Sequence, residues 1–484
     1  MDGSAIKESL ARALRAAMKV LEELALEGPA DRSAQGLERW ASGIGRQVVR
    51  PLLEARLQAR LDESDARPVD ARCKKCGGAC ESQGQRSRRW MSQLGPLKLH
   101  RRYLHCEACG EGEARAQSEV GLTDGDWTPE LESVVTQLAT TVPYAMAVKV
   151  LQDIIGVEVS VKAAESAVER RATALHDEQM REAERCAPYD EKGLPVAEQQ
   201  RPADARPAGS GACYVEIDGV VPMTREEIPR SQLSPTQKRK QTRAKRDKAR
   251  GGRGRKYRLV GREVKNAVLY RADDCAQQSA SRNCLLEKRY VSHLGDPKTF
   301  GKLLWTEMLR QGFDASRTLI WLSDGAEWIR KLAEHLPVRP LLILDLFHVK
   351  HRIWEVGRLL YGERSAKTTR WSQIQSDRAE AGQARTVIQA LRFLPPRAAP
   401  TREAVAALAG YLESNLDRIN YPAYRAQGLR VGSGAVESAN FHVTGARLKL
   451  QGMRWSHAGA RHMALLRADL FNGGWDRTSR LRAA

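Results

Sequence analysis

Two pairs of cysteines place the tightest constraint on how this chain can fold. Cys73 and Cys76 form one Cys-x2-Cys pair, Cys106 and Cys109 form the other, and 29 residues separate the pairs. A glycine follows each pair, which suits the tight turns of a zinc knuckle. Four thiolates at this spacing can hold one tetrahedral ion, and a β-hairpin would fill the gap between them. The pattern predicts a structural Zn²⁺ site, with scattered buried cysteines as the alternative and Cys80 as a further thiol nearby.

The charge of the chain predicts a polyanionic partner. The 484 residues include 79 Lys and Arg against 59 Asp and Glu, which gives a net charge of +20 and a pI near 9.7. A protein this basic is expected to bind nucleic acid. No apolar run approaches the ~20 residues that cross a bilayer, and the N-terminus lacks a signal-peptide core. We expect a cytoplasmic, nucleoid-associated protein with no membrane partner and no disulfide framework.

The periodicity of apolar residues divides the chain into helical and sheet-forming parts. Helical spacing dominates near both ends, whereas residues 187–211 lose periodicity and collect proline and glycine, as linkers do. After this linker, apolar strands alternate with helices, which predicts a multidomain α/β protein. The predicted segments are an N-terminal helical region (1–66), a zinc ribbon (67–122), a helical unit (123–186), the linker (187–211), the first part of a sheet domain (212–349), a helical insertion (350–430) and C-terminal helices (431–484).

The helical unit at 123–186 has the outline of a helix-turn-helix. Gly156 marks a turn between two helical patterns, and Ser160 is a candidate N-cap for the second helix. Such a unit can place its second helix in the major groove of DNA. Because many helical hairpins share this outline, DNA recognition and simple packing are both compatible with the sequence.

A basic loop at 236–258 interrupts the predicted sheet domain. Its residues 238–258 contain twelve Lys or Arg and one Asp. The composition predicts a solvated loop, and such a loop can also close onto phosphates without reading base sequence. The candidate DNA contacts in this loop are Lys238, Arg239, Lys240, Arg243, Lys245, Arg246, Lys248, Arg250, Arg253, Arg255 and Lys256.

Three acidic residues stand where strands end or a helix begins. Asp218 lies near the end of the strand ACYVEIDGV, Asp324 follows the apolar run LIWLS, and Glu437 comes early in a helix after Gly-Ser-Gly. Such carboxylates can converge on one edge of a sheet and hold two divalent cations for in-line phosphoryl transfer. Each also has a structural alternative. Asp218 suits a turn, Asp324 suits a turn or a helix cap, and Glu437 suits the positive end of a helix dipole.

From about residue 70 onward, the chain resembles the DDE transposases of bacterial insertion sequences. The likeness is to the ISKra-type enzymes, which are distantly related to the Mutator-like group. The zinc-ribbon cysteines and the segments EIDGV, LSDGAEWI, LILDLFHVKHRI and GSGAVES…RLKLQGMRWS carry it. The resemblance implies an RNase H-like catalytic core with an all-helical insertion, preceded by helical and zinc-ribbon DNA-binding modules.

The resemblance also implies a role for each acidic residue. Asp218 is the first catalytic Asp, Asp324 the second and Glu437 the acidic third member, and together they hold two Mg²⁺ ions per active site. Asp345 and His348 match an Asp-x2-His element and are candidate auxiliary residues. Asp345 is an alternative to Asp324 as second metal ligand, although Ser-Asp-Gly should expose Asp324 more. Further candidate DNA contacts in the last motif are Arg447, Lys449 and Arg454.

The predicted activity is DNA transposition. The enzyme would hydrolyse a phosphodiester at each end of an insertion sequence, and the freed 3′-hydroxyl would attack target DNA. Its partners would be element ends, target DNA and further copies of the chain, because pairing two ends favours a homodimer or a higher oligomer. The alternatives are a nuclease without strand transfer and a zinc-containing DNA-binding regulator whose acids are structural.

Overall fold

The computed structural model describes eleven ranges of the chain. They are 3–27, 29–67, 72–123, 125–190, 194–196, 199–232, 234–236, 238–239, 257–279, 282–395 and 398–475. The contacts divide the chain into two compact units, one ending at Arg171 and the other beginning at Ala172. None of the helices in these ranges combines the length and the hydropathy that crossing a bilayer requires. Most of the predicted basic loop, from Lys240 to Lys256, lies outside the described residues.

The first unit contains the N-terminal helices and a β-hairpin, as the apolar spacing predicts. The hairpin strands pair in antiparallel register from Cys80 with Cys106 to Ser92 with Gly95. Leu61, Trp90 and Leu97 are fully buried in the core that the hairpin shares with the second helix. The elements are α1 (Gly3–Glu27), α2 (Ala34–Asp65), β1 (Cys80–Ser92), β2 (Gly95–Cys106), β3 (Gly112–Glu113) and α3 (Arg115–Glu119).

The predicted turn between two helices is present in the same unit. Gly156 adopts a φ of 71°, which favours glycine, and ends a helical stretch whose last five residues are a π-helix. Ser160 accepts a hydrogen bond from the backbone N–H of Ala163 at 3.1 Å, as an N-cap does. The elements are α4 (Pro129–Thr141), α5 (Tyr144–Val150) and α6 (Val161–Arg185).

A mixed five-stranded sheet, counted within the described residues, organises the second unit. Its order is β10-β7-β4-β11-β12, with β4 antiparallel to β7 and parallel to β11. The sequence predicted β4, β7, β11 and β12 as strands but missed the edge strand β10. The strands are β4 (Cys213–Val220), β7 (Val264–Arg271), β10 (Arg289–Leu294), β11 (Leu319–Ser323) and β12 (Leu341–Leu344).

Helices cover both faces of this sheet. On one face, Val215 and Ile217 of β4 pack into a core with residues of α7 and α8. On the other face, Tyr214 belongs to a core that includes the helices between β12 and the C-terminus. The helices are α7 (Pro297–Arg310), α8 (Glu327–His335), α9 (Leu346–Tyr361), α10 (Ala366–Glu380), α11 (Ala384–Arg392), α12 (Ala399–Glu413), α13 (Tyr421–Ala426), α14 (Gly434–Ala439), α15 (Ala446–Leu448) and α16 (His457–Phe471).

Smaller β-elements decorate the sheet domain, and the sequence did not predict them. The β5–β6 ribbon pairs Met223 with Gly261 and Glu227 with Tyr257. The chain between these strands contains the predicted basic loop. The remaining strands are β5 (Met223–Glu227), β6 (Tyr257–Gly261), β8 (Cys275–Ser279), β9 (Arg282–Leu285) and β13 (Trp455–Ser456).

The proline-rich stretch predicted as a linker is held against the second unit where it is described. Arg201 forms a bidentate pair with Asp314 at 2.7 and 2.9 Å. Arg206 donates its backbone N–H to the carbonyl of Arg310 at 2.7 Å and pairs its side chain with Glu287 at 2.6 Å. The described part of this stretch is therefore bonded to the rest of the second unit although its backbone is irregular.

Candidate functional site

The four predicted zinc ligands lie together. Their sulfur atoms are all within 4.8 Å of one another. The Cys73 and Cys109 sulfurs are 3.6 Å apart, and those of Cys76 and Cys106 are 3.5 Å apart. Tetrahedral zinc with Zn–S bonds of about 2.3 Å requires sulfurs about 3.8 Å apart, so the arrangement fits zinc. Cys80, although buried, is not a member of this group of four.

Local backbone geometry explains why these cysteines converge. Gly77 and Gly110 adopt φ values of 74° and 70°, which lets the chain turn sharply after each cysteine pair. Backbone N–H groups of Cys76 and Lys75 donate to the Cys73 sulfur and lower the pKa of that thiol to about 6. The thiolate is the form that binds metal. All the residues that predict this site, the four cysteines and the two glycines, therefore lie within residues 73–110.

The carboxylates of the second unit meet at one edge of the sheet. Ser323 at the end of β11 pairs with Ile217 of β4 on one side and with Leu344 of β12 on the other. Asp218, Asp324 and Asp345 each come one residue after these paired positions. Three neighbouring strands therefore present an aspartate at the same level, two of which were predicted as catalytic and one as auxiliary.

The charges of neighbouring residues shift the pKa of Asp218, the predicted first catalytic residue. Asp218 is half-buried, and burial raises its pKa above the usual value. The negative charges of Asp324 and Glu437 raise this pKa further, whereas His348 lowers it. Asp218 therefore lies within range of the charges of both Asp324 and Glu437. A carboxylate that is repelled by neighbouring carboxylates can be stabilised by a shared cation.

Asp324 forms a turn and does not cap the following helix. Its Oδ1 accepts the backbone N–H of Ala326 at 3.0 Å, and Ala326 itself is the N-cap of α8. Gly325 has a φ of 87°, and a Cβ there would lie 2.6 Å from Leu344. Tyr411 donates its hydroxyl to the Asp324 carbonyl at 2.8 Å. Of its two structural alternatives, the turn is correct and the helix cap is wrong.

Asp345 is the helix-capping aspartate, and it is fully buried. It accepts the His348 backbone N–H at 2.9 Å, the His348 ring Nδ1–H at 2.6 Å and the Ser433 backbone N–H at 2.9 Å. Burial alone would raise the pKa of Asp345, but these hydrogen bonds lower it below its usual value. The bond to Asp345 raises the pKa of His348 and leaves its Nε2 as the nitrogen for other contacts.

Glu437 lies on a segment that donates hydrogen bonds to three carboxylates. Its side chain is 53% exposed, whereas its neighbours Val436 and Ser433 are buried. Two of the contacts use backbone N–H groups at the start of α14, and the third lies just after this helix. They join Ser433 N–H to Asp345 (2.9 Å), Val436 N–H to Glu216 (2.9 Å) and the Asn440 side-chain amide to Asp218 (2.6 Å).

Glu216 is a site residue that the sequence reading missed. It is 1% exposed, and burial raises its pKa to about 7. It also accepts the Tyr270 hydroxyl at 2.6 Å. The available signal was an ionisable residue within the apolar strand YVEID, two positions before Asp218 and hence on the same face. Glu216 cannot reach a ligand from this position, but it holds the helix that carries Glu437.

A second metal-competent group also lies at this edge. Ligand atoms of Asp345, His348 and Glu437 are all within 4.8 Å of one another, and His348 Nδ1 is 4.0 Å from Glu437 Oε1. Within the described part of the chain, no group of this tightness contains Asp218 or Asp324. The two carboxylates of this group are donors that suit Mg²⁺, whereas the imidazole of His348 suits transition metals better. Of the two candidates for second ligand, Asp345 belongs to this group and Asp324 does not.

The predicted DNA-contact residues differ in their environments. Arg239, Lys449 and Arg454 are exposed and Lys238 is half-buried. Arg447, in contrast, is fully buried, with its guanidinium 4.9 Å from the centre of the Trp455 ring. The prediction that Arg447 contacts DNA is therefore corrected, because its side chain packs in the interior. The candidates outside the described residues are Lys240, Arg243, Lys245, Arg246, Lys248, Arg250, Arg253, Arg255 and Lys256.

Comparison with known proteins gives one family match. Residues 253–483 match the model of the Uncharacterised protein family (UPF0236), which covers just under half of the chain. The matched range contains Asp324, Asp345 and Glu437, whereas Asp218 precedes it. No curated protein was found that matches the chain.

Proposed function

We propose that this protein is a metal-dependent DNA transposase that cleaves the ends of an insertion sequence and joins them to target DNA. One observation carries the proposal. Asp218 and Asp324 lie at neighbouring strand ends, the helix of Glu437 is bonded to Glu216 of β4 and to Asp345 just after β12, and the charges of Asp324 and Glu437 raise the pKa of Asp218. A carboxylate set on a sheet edge, in a chain of net charge +20, suits phosphodiester chemistry on nucleic acid.

The architecture supports an RNase H-like core as the fold behind this activity. The first Asp lies on the central strand β4, and the second follows the adjacent parallel strand β11. Between Asp345 and Glu437 the chain is helical, from α9 to α13, in agreement with an all-helical insertion before the acidic residue. The Cys-rich hairpin and the helical unit of the first unit would then serve as DNA-binding modules.

The roles of the residues follow from their positions. Two Mg²⁺ ions, when bound, would stabilise the attacking and the leaving oxygens of an in-line displacement. Asp218, Asp324 and Glu437 would hold these ions. Asp345 fixes the His348 ring by accepting its Nδ1–H, which leaves Nε2 to contact a phosphate oxygen or the attacking hydroxyl. Glu216 keeps α14, and with it Glu437, in register with β4.

The chemistry consists of two displacements at phosphorus. In the first, a water oxygen attacks at the element end, the P–O3′ bond breaks, and a 3′-hydroxyl is released with the proton passing to solvent. In the second, this 3′-oxygen attacks a target phosphate, a new P–O3′ bond forms, and a target 3′-hydroxyl leaves. The number of phosphodiester bonds is conserved in the second step, so it needs no nucleotide cofactor.

The decisive experiment uses purified full-length protein and DNA duplexes from both flanks of its own reading frame. Cleavage and joining are mapped at nucleotide resolution with Mg²⁺, Ca²⁺ or EDTA. We expect Mg²⁺-dependent cuts at a defined end, joined to target DNA, and loss of both in Asp218→Asn, Asp324→Asn and Glu437→Gln. Asp417→Asn is the matched control, because Asp417 is exposed on the helical insertion and pairs only loosely with Arg330 at 3.6 Å.

Other outcomes redirect the proposal. Loss in Asp345→Asn with full activity in Asp324→Asn would keep the enzyme and move the second ligand to Asp345. Cuts without joined products would indicate a nuclease. DNA binding that survives EDTA, with no cut in any condition, would indicate a DNA-binding regulator and overturn the enzymatic proposal.

A further inference from the structure

A groove beside the carboxylate site is lined partly by residues that have no role in the proposed chemistry. It has a volume of about 510 Å³, and Glu437 and His348 contribute to its lining. Its other lining residues are Phe347, His351, Trp354 and Arg358, which follow the helical spacing of one face of α9. This set combines aromatic rings with a cation along a single helix face. We call it the α9 groove.

Phe347 differs from the other exposed phenylalanines in its position beside the carboxylate site. Of the six phenylalanines, Phe300 and Phe313 are buried, whereas Phe347 (62%), Phe393 (87%), Phe441 (68%) and Phe471 (45%) are exposed, and of these four Phe347 alone lines the groove. Its ring rests on the Gly432 backbone, because a Cβ at that glycine would lie 2.6 Å from the ring. One part of the ring is therefore supported and the rest faces solvent. An apolar ring held in this way next to a charged site is a platform for a planar, partly apolar ligand.

The other groove residues specify the kind of ligand. Trp354 is half-buried and lies two turns along α9 from Phe347. Arg358, one turn further, is exposed and forms no ion pair with any residue in the described ranges. Aromatic rings that stack bases, together with an arginine that pairs with phosphate, are the means by which proteins bind unpaired nucleic-acid strands. Bases within a duplex cannot stack on such rings, because their faces are already covered.

We propose that the α9 groove binds the unpaired end of the DNA strand that is processed at Glu437. Bases stack on Phe347 and Trp354, and a backbone phosphate pairs with Arg358. The identity of the strand as DNA rests on the proposed function. The groove therefore requires the duplex to open locally beside the reacting phosphate, and it selects strand ends over continuous duplex.

The test measures binding of a 5′-fluorescein-labelled single strand of twelve thymidines by fluorescence anisotropy, with Ca²⁺ present. A blunt duplex of the same length is the comparison. We expect Phe347→Ala and Trp354→Ala to weaken single-strand binding by about 5- to 50-fold, as expected for the loss of one stacked base, and to leave duplex binding unchanged. Trp354→Phe should restore most of the affinity, which separates stacking from loss of structure.

A matched control is available on the helical insertion. Phe393 is 87% exposed and does not line the groove, so Phe393→Ala should bind the single strand as wild type does. Equal single-strand affinity in wild type, Phe347→Ala and Trp354→Ala overturns the inference, and so does an equal loss of duplex binding in these variants.

The groove and the proposed reaction can fail separately. Asp218→Asn should lose cleavage and keep single-strand binding if both proposals are correct. If wild type neither cuts nor joins DNA but Phe347→Ala and Trp354→Ala lose the single strand, the groove is a nucleic-acid site and the transposase proposal fails. If wild type transposes and the groove variants bind normally, only the groove proposal fails.

Discussion

The cysteine site and the carboxylate site are assembled in opposite ways. The four cysteines lie within residues 73–109, and one hairpin brings both pairs together. The carboxylate site joins residues far apart in sequence, as in the bond between Val436 and Glu216, which are 220 positions apart. A local site depends on turn geometry and ligand chemistry alone. A dispersed site depends on the whole sheet and on every contact that holds its last helix.

The two sites also differ in how they satisfy their charges. The sulfurs lie near the separation that one shared zinc ion requires, and such an ion would offset part of the negative charge of four thiolates. At the sheet edge, Glu216 and Asp345 are satisfied by hydrogen bonds from the protein itself, whereas Glu437 is half exposed. The first arrangement suits a structural ion, and the second leaves a carboxylate exposed to solvent.

The largest effect should come from breaking the local site. Cys106→Ser should abolish zinc binding and unfold the hairpin, because a structural zinc contributes on the order of 10 kcal/mol to such modules. Zinc content and limited proteolysis of the 72–113 region measure this outcome. Cys80→Ser is the matched control and should retain one zinc per chain. Stoichiometric zinc in a folded Cys106→Ser protein would show that the four cysteines are not the ligand set.

The next largest effect should come from Glu216, which joins strand β4 to the helix that carries Glu437. Glu216→Ala leaves the Val436 N–H and the Tyr270 hydroxyl without their acceptor, which should cost about 2–4 kcal/mol of unfolding free energy. Because Glu216 cannot touch DNA, we expect the kcat of cleavage to fall about 10- to 100-fold with little change in KM. Chemical denaturation and single-turnover cleavage are the measurements.

Tyr270→Phe provides the comparison for this positioning role. It removes one donor to Glu216 and keeps the bond to Val436, so kcat should stay within about threefold of wild type. A kcat in Glu216→Ala that equals wild type, despite lower stability, would show that Glu216 acts on the fold alone.

A smaller effect should appear as a pH dependence of stability. The pKa of Glu216 is about 7 in the folded protein, against an ordinary value of 4.5, so the folded state binds this proton more tightly. Its contribution is present below pH 4.5 and is lost as the pH rises through 7. Relative to Glu216→Gln, wild type should therefore lose up to about 3 kcal/mol between pH 5 and pH 8. Urea unfolding of both proteins measures this difference, and parallel pH profiles would contradict the assignment.

The smallest effect should come from a single methyl group beside the α9 groove. Gly432→Ala would place a Cβ 2.6 Å from the Phe347 ring, which must then rotate away. We expect a stability loss of no more than about 1 kcal/mol and roughly twofold to fivefold weaker binding of the single strand. Gly434→Ala is the control, since a Cβ there meets no atom within 4 Å. Equal binding by both variants would remove Phe347 from the groove's function.

The sequence predicted the parts of the carboxylate site better than their arrangement. Asp218, Asp324 and Glu437 were predicted from strand ends and a helix start, and the charges of Asp324 and Glu437 both raise the pKa of Asp218. Their role as a metal-binding triad stays a prediction. The preference for Asp324 over Asp345 rested on the apolar residues after Asp345. In the structure Leu346 is buried but Phe347 is exposed, and Asp345 is buried by its own hydrogen bonds. The choice of second ligand therefore stays a prediction.

Other features depended on neighbours that no local pattern reveals. Arg447 belongs to a basic motif and was predicted to contact DNA, yet its side chain packs in the interior against Trp455. Strand β10 mixes polar and apolar residues and was not predicted as a strand, yet it forms the edge of the sheet beside β7. In both cases long-range packing decided the outcome, because burial and strand order are properties of the assembled sheet.

The sequence by itself determined which four cysteines converge, the helical character of both ends and the acidic character of the sheet edge. These depend on ligand spacing, apolar periodicity and residue chemistry, which act over a few residues. Only the tertiary structure decided which aspartates stand level, that Glu216 and Asp345 hold the Glu437 helix, and that Phe347 faces solvent. The contacts that hold the Glu437 helix span 88 and 220 residues, and closing loops of that length is favourable only when the whole core forms at once.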